Sequence, residues 1–169
     1  MKRILVLGSG GAGKSTVATK LGELLDLEVN HLDKFYWRPG WEKPSPEEWL
    51  QTVTDLIDRD SWIIDGNYSG TLDLRIQKCD TIVFLDLPRW LCLWRIVKRN
   101  IQYRRGGRPD MAAGCVEKLD LEFVSWVWNY SRRSRPRVVK LIRAHAAGKR
   151  VVWLRSNADV KRFLSDPRR

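Results

Sequence analysis

Apolar residues follow two periods along this chain, and the two alternate. Ile4-Leu5-Val6-Leu7 is an unbroken apolar run, the pattern of a strand buried on both faces, and it places strand one at Met1 to Leu7. From Thr16 to Leu25 the apolar positions Val17, Leu21, Leu24 and Leu25 recur at helical spacing. Leu27 to Asn30 predicts a second, short strand, followed by a long loop from His31 to Trp41. Ser45-Pro46-Glu47-Glu48 then forms a capping box with proline at the first helical position, and Trp49, Val53, Leu56 and Ile57 make the buried face of that helix. Ser61 to Ile64 predicts strand three, Leu72 to Lys78 a short helix, and Thr81 to Leu87 a strand stopped by Pro88.

Arg89 to Tyr103 is expected to be helical, with Leu91, Trp94, Ile96, Val97 and Ile101 as its apolar members. Arg104 to Asp110 interrupts it with glycines and arginines, so a basic lid or hinge is expected over about 104–114. A long helix from Cys115 to Ser131 follows; Leu121, Val124 and Trp128 share a helical face, so core packing is expected to explain at least one of the pair Trp126 and Trp128. Another helix runs from Arg137 to Ala147, with Pro136 at the break. Val151 to Leu154 predicts a fifth strand, and Ser156-Asn157-Ala158-Asp159 a capping box for a last helix, Val160 to Leu164. Alternating strands and helices predict an α/β fold: one three-layer domain over 1–169, with a five-stranded parallel sheet and helices on both faces. Ligands in such sheets bind at the carboxyl ends of the strands, where Asp33, Asp65 and Asp86 fall.

Between the first strand and the first helix stands Gly8-Ser9-Gly10-Gly11-Ala12-Gly13-Lys14-Ser15, a G-x-x-x-x-G-K-S phosphate-binding loop (P-loop) in the strand–loop–helix context it requires. Its glycines let successive backbone N–H groups point inward as a nest for phosphate oxygens. Ser15 and Thr16 lie at the helix start, where the dipole and unpaired amides favour an anion. Lys14 supplies charge for the β- and γ-phosphates, and the Ser15 hydroxyl suits Mg²⁺. ATP or another nucleoside triphosphate with Mg²⁺ is therefore the expected cofactor pair.

Charge changes the picture in the second half. Residues 1–88 hold 10 Lys/Arg against 14 Asp/Glu, a balance of −4, whereas residues 89–169 hold 21 against 6, a balance of +15. Such asymmetry predicts a polyanionic partner, either nucleotide phosphates or nucleic acid bound nonspecifically; a solvated basic surface is the plainer explanation. No apolar run approaches the roughly 20 residues that span a bilayer, and no membrane partner is expected. Cys79, Cys92 and Cys115 are odd in number and widely spaced, which fits reduced thiols in a cytoplasmic protein.

Phosphoryl transfer asks for a magnesium carboxylate, arginines for the transferring group, and an acceptor pocket. Asp65, at the end of Trp62-Ile63-Ile64, is the favoured metal residue, with Asp86 competing and a strand-end hydrogen-bonding role as the plain alternative for either. Arg95 and Arg99, four apart on one helix, can grip phosphoryl oxygens, backed by Arg104, Arg105 and Arg108. Asp33 and Arg38, in the aromatic loop, are candidates for the acceptor's hydroxyl and its anionic group. Phe35, Tyr36 and Trp37 either stack on the acceptor or pack a satellite core. His31 reads as structural, and His145 receives no role. The run Tyr130 to Arg137, with Trp126 and Trp128 ahead of it, is a candidate nucleic-acid surface.

The P-loop, Asp65-Gly66-Asn67-Tyr68, and the stretch from Asp80 through Asp86 and Pro88 to Arg95 and Arg99 resemble the adenylate kinase group of P-loop kinases. The likeness extends to adenylate-kinase-related bacterial proteins labelled DNA topology modulation proteins. It implies that Asp65 and Gly66 serve magnesium and the acceptor, that Arg95 and Arg99 are the lid-helix arginines, and that Ser156, Asn157 and Ala158 contact the adenine. Where adenylate kinases follow Asp-Gly with Phe-Pro-Arg, this chain has Asn67-Tyr68-Ser69, and Arg75 is the candidate substitute for the acceptor-gripping arginine. The expectation is an ATP- and Mg²⁺-dependent kinase of a small acceptor, a nucleotide or another hydroxylated metabolite. The rival is a nucleic-acid-binding ATPase that uses the basic half.

Overall fold

The computed structural model describes residues 1–103 and 120–169. Five strands, β1 (Arg3–Gly8), β2 (Val29–His31), β3 (Trp62–Asp65), β4 (Thr81–Leu85) and β5 (Arg150–Leu154), form one sheet in the order β2-β3-β1-β4-β5. Every pairing is parallel. Successive residues of the central strands face opposite layers, which is why those strands read as continuous apolar runs. Leu5, Leu7, Ile64, Ile82 and Phe84 pack with α3 (Pro46–Ile57), α4 (Leu72–Lys78) and α7 (Arg135–Ala144). Ile4, Val6, Ile63, Val83 and Leu85 pack on the other side with α1 (Lys14–Leu25), α5 (Arg89–Tyr103) and α8 (Asn157–Ser165). The three-layer α/β architecture is as expected.

Local departures have physical causes. The loop after β2 holds a short helix, α2 (Leu32–Tyr36), whose Leu32 is buried in the core and whose Tyr36 packs against it, and a 3-10 turn at Pro39–Trp41, while Phe35 and Trp41 are exposed. Pro136 does not break a helix; it sits in the first turn of α7, where a missing N–H is harmless, and the break falls at Ser134. The helix expected from Cys115 is seen as α6 (Leu121–Arg133), and its earlier part, Cys115 and the basic 104–114 hinge with Arg104, Arg105 and Arg108 lie outside the described residues. On α6 the core-packing expectation for Trp126 or Trp128 is not met, both being exposed, and Val124 is half-buried. Val127 and Tyr130 are buried, while Leu121 and Trp128 are exposed. Among the described residues, no helix is long and apolar enough to cross a membrane.

Parallel register brings the functional ends together. His31 pairs with Asp65, Asp65 with Val6, and Gly8 with Leu85, so β2, β3, β1 and β4 all end at one edge. At the opposite edge Asp80 accepts the backbone N–H groups of Lys2 and Arg3 at 2.8 and 2.9 Å, tying the start of β1 to that of β4.

Candidate active site

The phosphate loop is shaped by what presses on it. Gly11 has φ +72, and a side chain there would run into the carbonyl of Cys92 on α5; a Cβ on Gly10 would meet Phe123 of α6 at 2.7 Å. Gly8, Ser9, Gly10, Gly11, Ala12 and Gly13 therefore wrap between α5 and α6 and lead into α1. Gly13 (φ +92) opens that helix with no side-chain cap, whereas α3 and α8 both carry full capping boxes. The first amides of α1, beside half-buried Ser15 and exposed Thr16, are left for an anion. Ser9 Oγ is buried with no hydrogen-bond partner among the described residues. A triphosphate fits such a cradle.

Lys14 Nζ donates to the Ser9 carbonyl at 2.9 Å. Desolvation lowers its pKa; the Asp65 and Asp33 carboxylates oppose this, and Arg99 adds to it. Asp65, Asp33 and Arg99, from three other stretches of chain, are thus among the charges that act on Lys14. Arg95 donates from Nη1 to the Ala12 carbonyl at 2.9 Å and from Nη2 to Asn157 Oδ1 at 2.7 Å, tying α5 to the P-loop and to the start of α8. Asn157 thus reaches the site edge. Ser156, by contrast, caps α8 by accepting from Asp159 N at 3.1 Å, and Ala158 stands exposed beside it.

The two rival metal carboxylates separate clearly. Asp86 receives both Nε and Nη2 of Arg135 at 2.7 Å, an ion pair that corrects its candidacy for magnesium. Asp65 is buried at the site and hydrogen-bonds His31 Nδ1 at 2.7 Å. Among the described residues, no cluster of three or more His, Cys, Asp or Glu could hold a metal alone. The Ser15 hydroxyl and Asp65 suit Mg²⁺ of the kind that keeps waters and takes phosphate oxygens as its other ligands.

On the acceptor side, one assignment fails. Arg75 is fully buried and donates to the carbonyls of Thr71, Gly66, Asn67 and Tyr68, so it buttresses the Asp65–Tyr68 turn from beneath and does not reach an acceptor. Burial pulls its guanidinium down to about 9, still above neutrality, so it remains charged. Gly66 has φ +127, and a Cβ there would stand 3.1 Å from that of Leu32. Asp33 accepts the Tyr68 hydroxyl at 2.6 Å; burial first, then that carboxylate, pushes the phenol well above its ordinary pKa. Arg38 is exposed and meets Glu48 at 3.0 Å. Tyr36, Trp49 and Tyr68 pack ring to ring at centroid distances of 4.5–4.9 Å, a satellite core rather than a stacking platform.

Asn67 has a role that sequence reasoning missed. Its Nδ2 donates to the Gly8 carbonyl at 2.8 Å and its Oδ1 accepts the Gly8 N–H at 3.3 Å, locking the acceptor turn to the phosphate loop. The signal was its place in a departure from the adenylate kinase pattern. The His31–Asp65 bond had no sequence signal beyond position at two strand ends.

The chain matches no known family profile. It is similar to a protein of Bacillus subtilis (strain 168) described as uncharacterized protein YqaC, 29% identical over 131 residues that cover 76% of this chain and 72% of that one. Among solved structures it resembles shikimate kinase from Acinetobacter baumannii in complex with shikimate, with a TM-score of 0.58 and 16% identity over 99% of this chain and 90% of that one. It also resembles shikimate kinase from Bacteroides thetaiotaomicron, with a TM-score of 0.53 and 13% identity over 97% of this chain and 94% of that one. The chain has the fold of the P-loop kinases.

Proposed function

We propose that this protein is a kinase that transfers the γ-phosphoryl group of ATP to a hydroxyl of a small metabolite. The carrying observation is an uncapped P-loop that Arg95 touches directly and Asn67 clamps, with Asp65 at the end of the neighbouring strand. The backbone amides from Gly8 to Thr16 and the Lys14 ammonium bind the phosphates. Arg95 and Arg99 offer guanidinium groups where the transferring group spreads its negative charge. Ser15 and Asp65 would hold Mg²⁺, which when bound neutralises charge on the β- and γ-phosphates. Asp33, near Lys14, orients the acceptor hydroxyl and takes up its proton's hydrogen bond. We read the acceptor as a hydroxylated metabolite in preference to a nucleoside monophosphate, because Arg75 is committed to backbone carbonyls and Arg38 pairs with Glu48. The narrower likeness to proteins labelled DNA topology modulation proteins does not inform that choice.

One observation favours the rival, a nucleic-acid-stimulated ATPase. Arg135, Lys140, Arg143 and Arg155 line two adjoining grooves, of about 370 and 420 Å³, beside α7 and β5. The deciding experiment is ³¹P NMR of ATP with Mg²⁺ across pools of nucleosides, sugars, hydroxy acids and nucleoside monophosphates, with a parallel DNA sample. A new phosphorylated product that depends on one pool, lost in Lys14→Ala, supports the kinase. Inorganic phosphate released only with DNA, and less so at raised salt, would establish the ATPase instead.

A further inference from the structure

α5 presents two unlike sides. Arg95, Arg99, Cys92 and Ile96 lie toward the P-loop and the core. Trp90, Trp94, Val97 and Ile101 are all exposed, Trp90 by 67% and Ile101 by 73%. Their spacing confines them to an arc of roughly 60° on an α-helix, one continuous apolar stripe along the solvent side. α6 extends it. The Arg89 guanidinium stands 4.0 Å from the centre of the Trp128 ring, which sets the end of α6 beside the start of α5. Leu121, two turns earlier on the Trp128 side of α6, is 79% exposed. Exposed large apolar residues elsewhere in the described chain are scattered, and scattered ones need no explanation.

Cations edge this plate except at its Leu121 end, where Asp120 and Glu122 are exposed. Lys98 lies over the Trp94 ring at 5.3 Å, Arg89 over Trp128, and Arg132 and Arg133 are exposed at the end of α6. α5 contains no acidic residue. We propose that the α5–α6 plate is a docking surface for an anionic lipid bilayer, on which Trp90, Trp94, Val97, Ile101, Leu121 and Trp128 enter the headgroup–acyl boundary. Tryptophan and aliphatic side chains on one face, with Lys and Arg at its edges, are the composition of a helix lying in that boundary. The cations reach headgroup phosphates while their stems cover apolar surface. The expectation of no membrane partner rested on the lack of a spanning run, and an interfacial helix needs none.

The alternatives fit less well. A second copy of the chain would have, among the described residues of the plate, Asp120 and Glu122 at its Leu121 end to set against Arg89, Lys98, Arg132 and Arg133, which leaves an excess of like charge. A single-stranded nucleic acid gains from ring faces, but Trp94 and Trp128 each already carry a cation, and Val97, Ile101 and Leu121 offer bases nothing to stack on.

The test is co-sedimentation of the full chain with vesicles of phosphatidylcholine containing about 30% phosphatidylglycerol, against pure phosphatidylcholine. Binding is expected only to the anionic vesicles, weakening with salt. It should fall by about tenfold or more in Trp94→Glu and in Ile101→Glu, both of which replace exposed side chains. Arg143→Glu, in the α7 groove, should leave it unchanged. Circular dichroism melts keep misfolding apart from lost docking. No binding at low salt overturns the proposal, as does loss in Arg143→Glu equal to that in Trp94→Glu. A dimer by light scattering that Trp94→Glu dissociates would assign the plate to self-association, and single-stranded DNA binding lost in Trp94→Glu would assign it to nucleic acid. The proposal is independent of phosphoryl transfer, since vesicle binding is read without ATP.

Discussion

The phosphate side and the acceptor side of the site are built from different material. The phosphate side is mostly backbone from one stretch, Gly8 to Thr16, with Arg95 and Arg99 added from α5. The acceptor side is mostly side chains from separate stretches already bonded to one another: Asp33 with Tyr68, His31 with Asp65, Asn67 with Gly8, and Arg75 with four carbonyls. A backbone nest leaves its donors open because its helix lacks a side-chain cap. A side-chain network satisfies itself in the absence of a ligand, so an acceptor must compete with internal hydrogen bonds. On the proposed function, the phosphate side would be general for anions and selectivity would belong to the acceptor side.

The largest expected break is Lys14→Ala, which should lower turnover by ~10³-fold or more while the melting temperature changes little, measured by ADP release and calorimetry. Arg99→Ala should cost ~10²–10³-fold in kcat, because its charge acts on the transferring group. Arg75→Met should act in the opposite sense. We expect about 3 kcal/mol of lost stability in urea unfolding, since four carbonyls lose their donor in a buried place. A normal melt with a raised acceptor KM would return Arg75 to the acceptor role. Asn67→Ala should remove about 1–2 kcal/mol and lower kcat, because the acceptor turn and the phosphate loop would no longer move as one; unchanged kcat would show that the clamp is structural only.

The smallest effect concerns the far edge of the sheet. Asp80 has its carboxyl held below the usual value: burial opposes this, but hydrogen bonds from Thr81, Arg3 and Lys2 prevail. With the folded value depressed, its contribution is present above the unfolded aspartate value, near pH 4, and is lost as pH falls through the folded value. Asp80→Asn should therefore flatten the acid limb of stability without touching turnover at neutral pH. A loss of activity there would contradict the separation of the two edges.

Legibility followed the same division. Strands β1, β3 and β4 were plain from apolar runs, and the capping boxes at Ser45 and Ser156 are present as expected. α6 was misread because Leu121, Val124 and Trp128 have apolar helical spacing, and spacing does not say which of two apolar faces meets the sheet. Val127 wins because, with Phe123, it packs on the P-loop where Gly10 leaves room for both, and Tyr130 is buried about one turn further along the same helix. The sequence favoured Asp65 over Asp86 but left both open as strand-end carboxylates, and Arg135, 49 residues from Asp86, closed on the second of them.

By itself the sequence determined the alternation of strands and helices, the phosphate nest and the asymmetry of charge. Each depends on residues adjacent in the chain or on sums over it. Only the tertiary structure decided that Asp86 pairs with Arg135 while Asp65 does not, that Arg75 is a buttress, that Asn67 joins the two halves of the site, and that an apolar plate faces solvent. Those depend on contacts between residues tens of positions apart, and pairing energies at such separations are set by packing geometry, which no local period encodes.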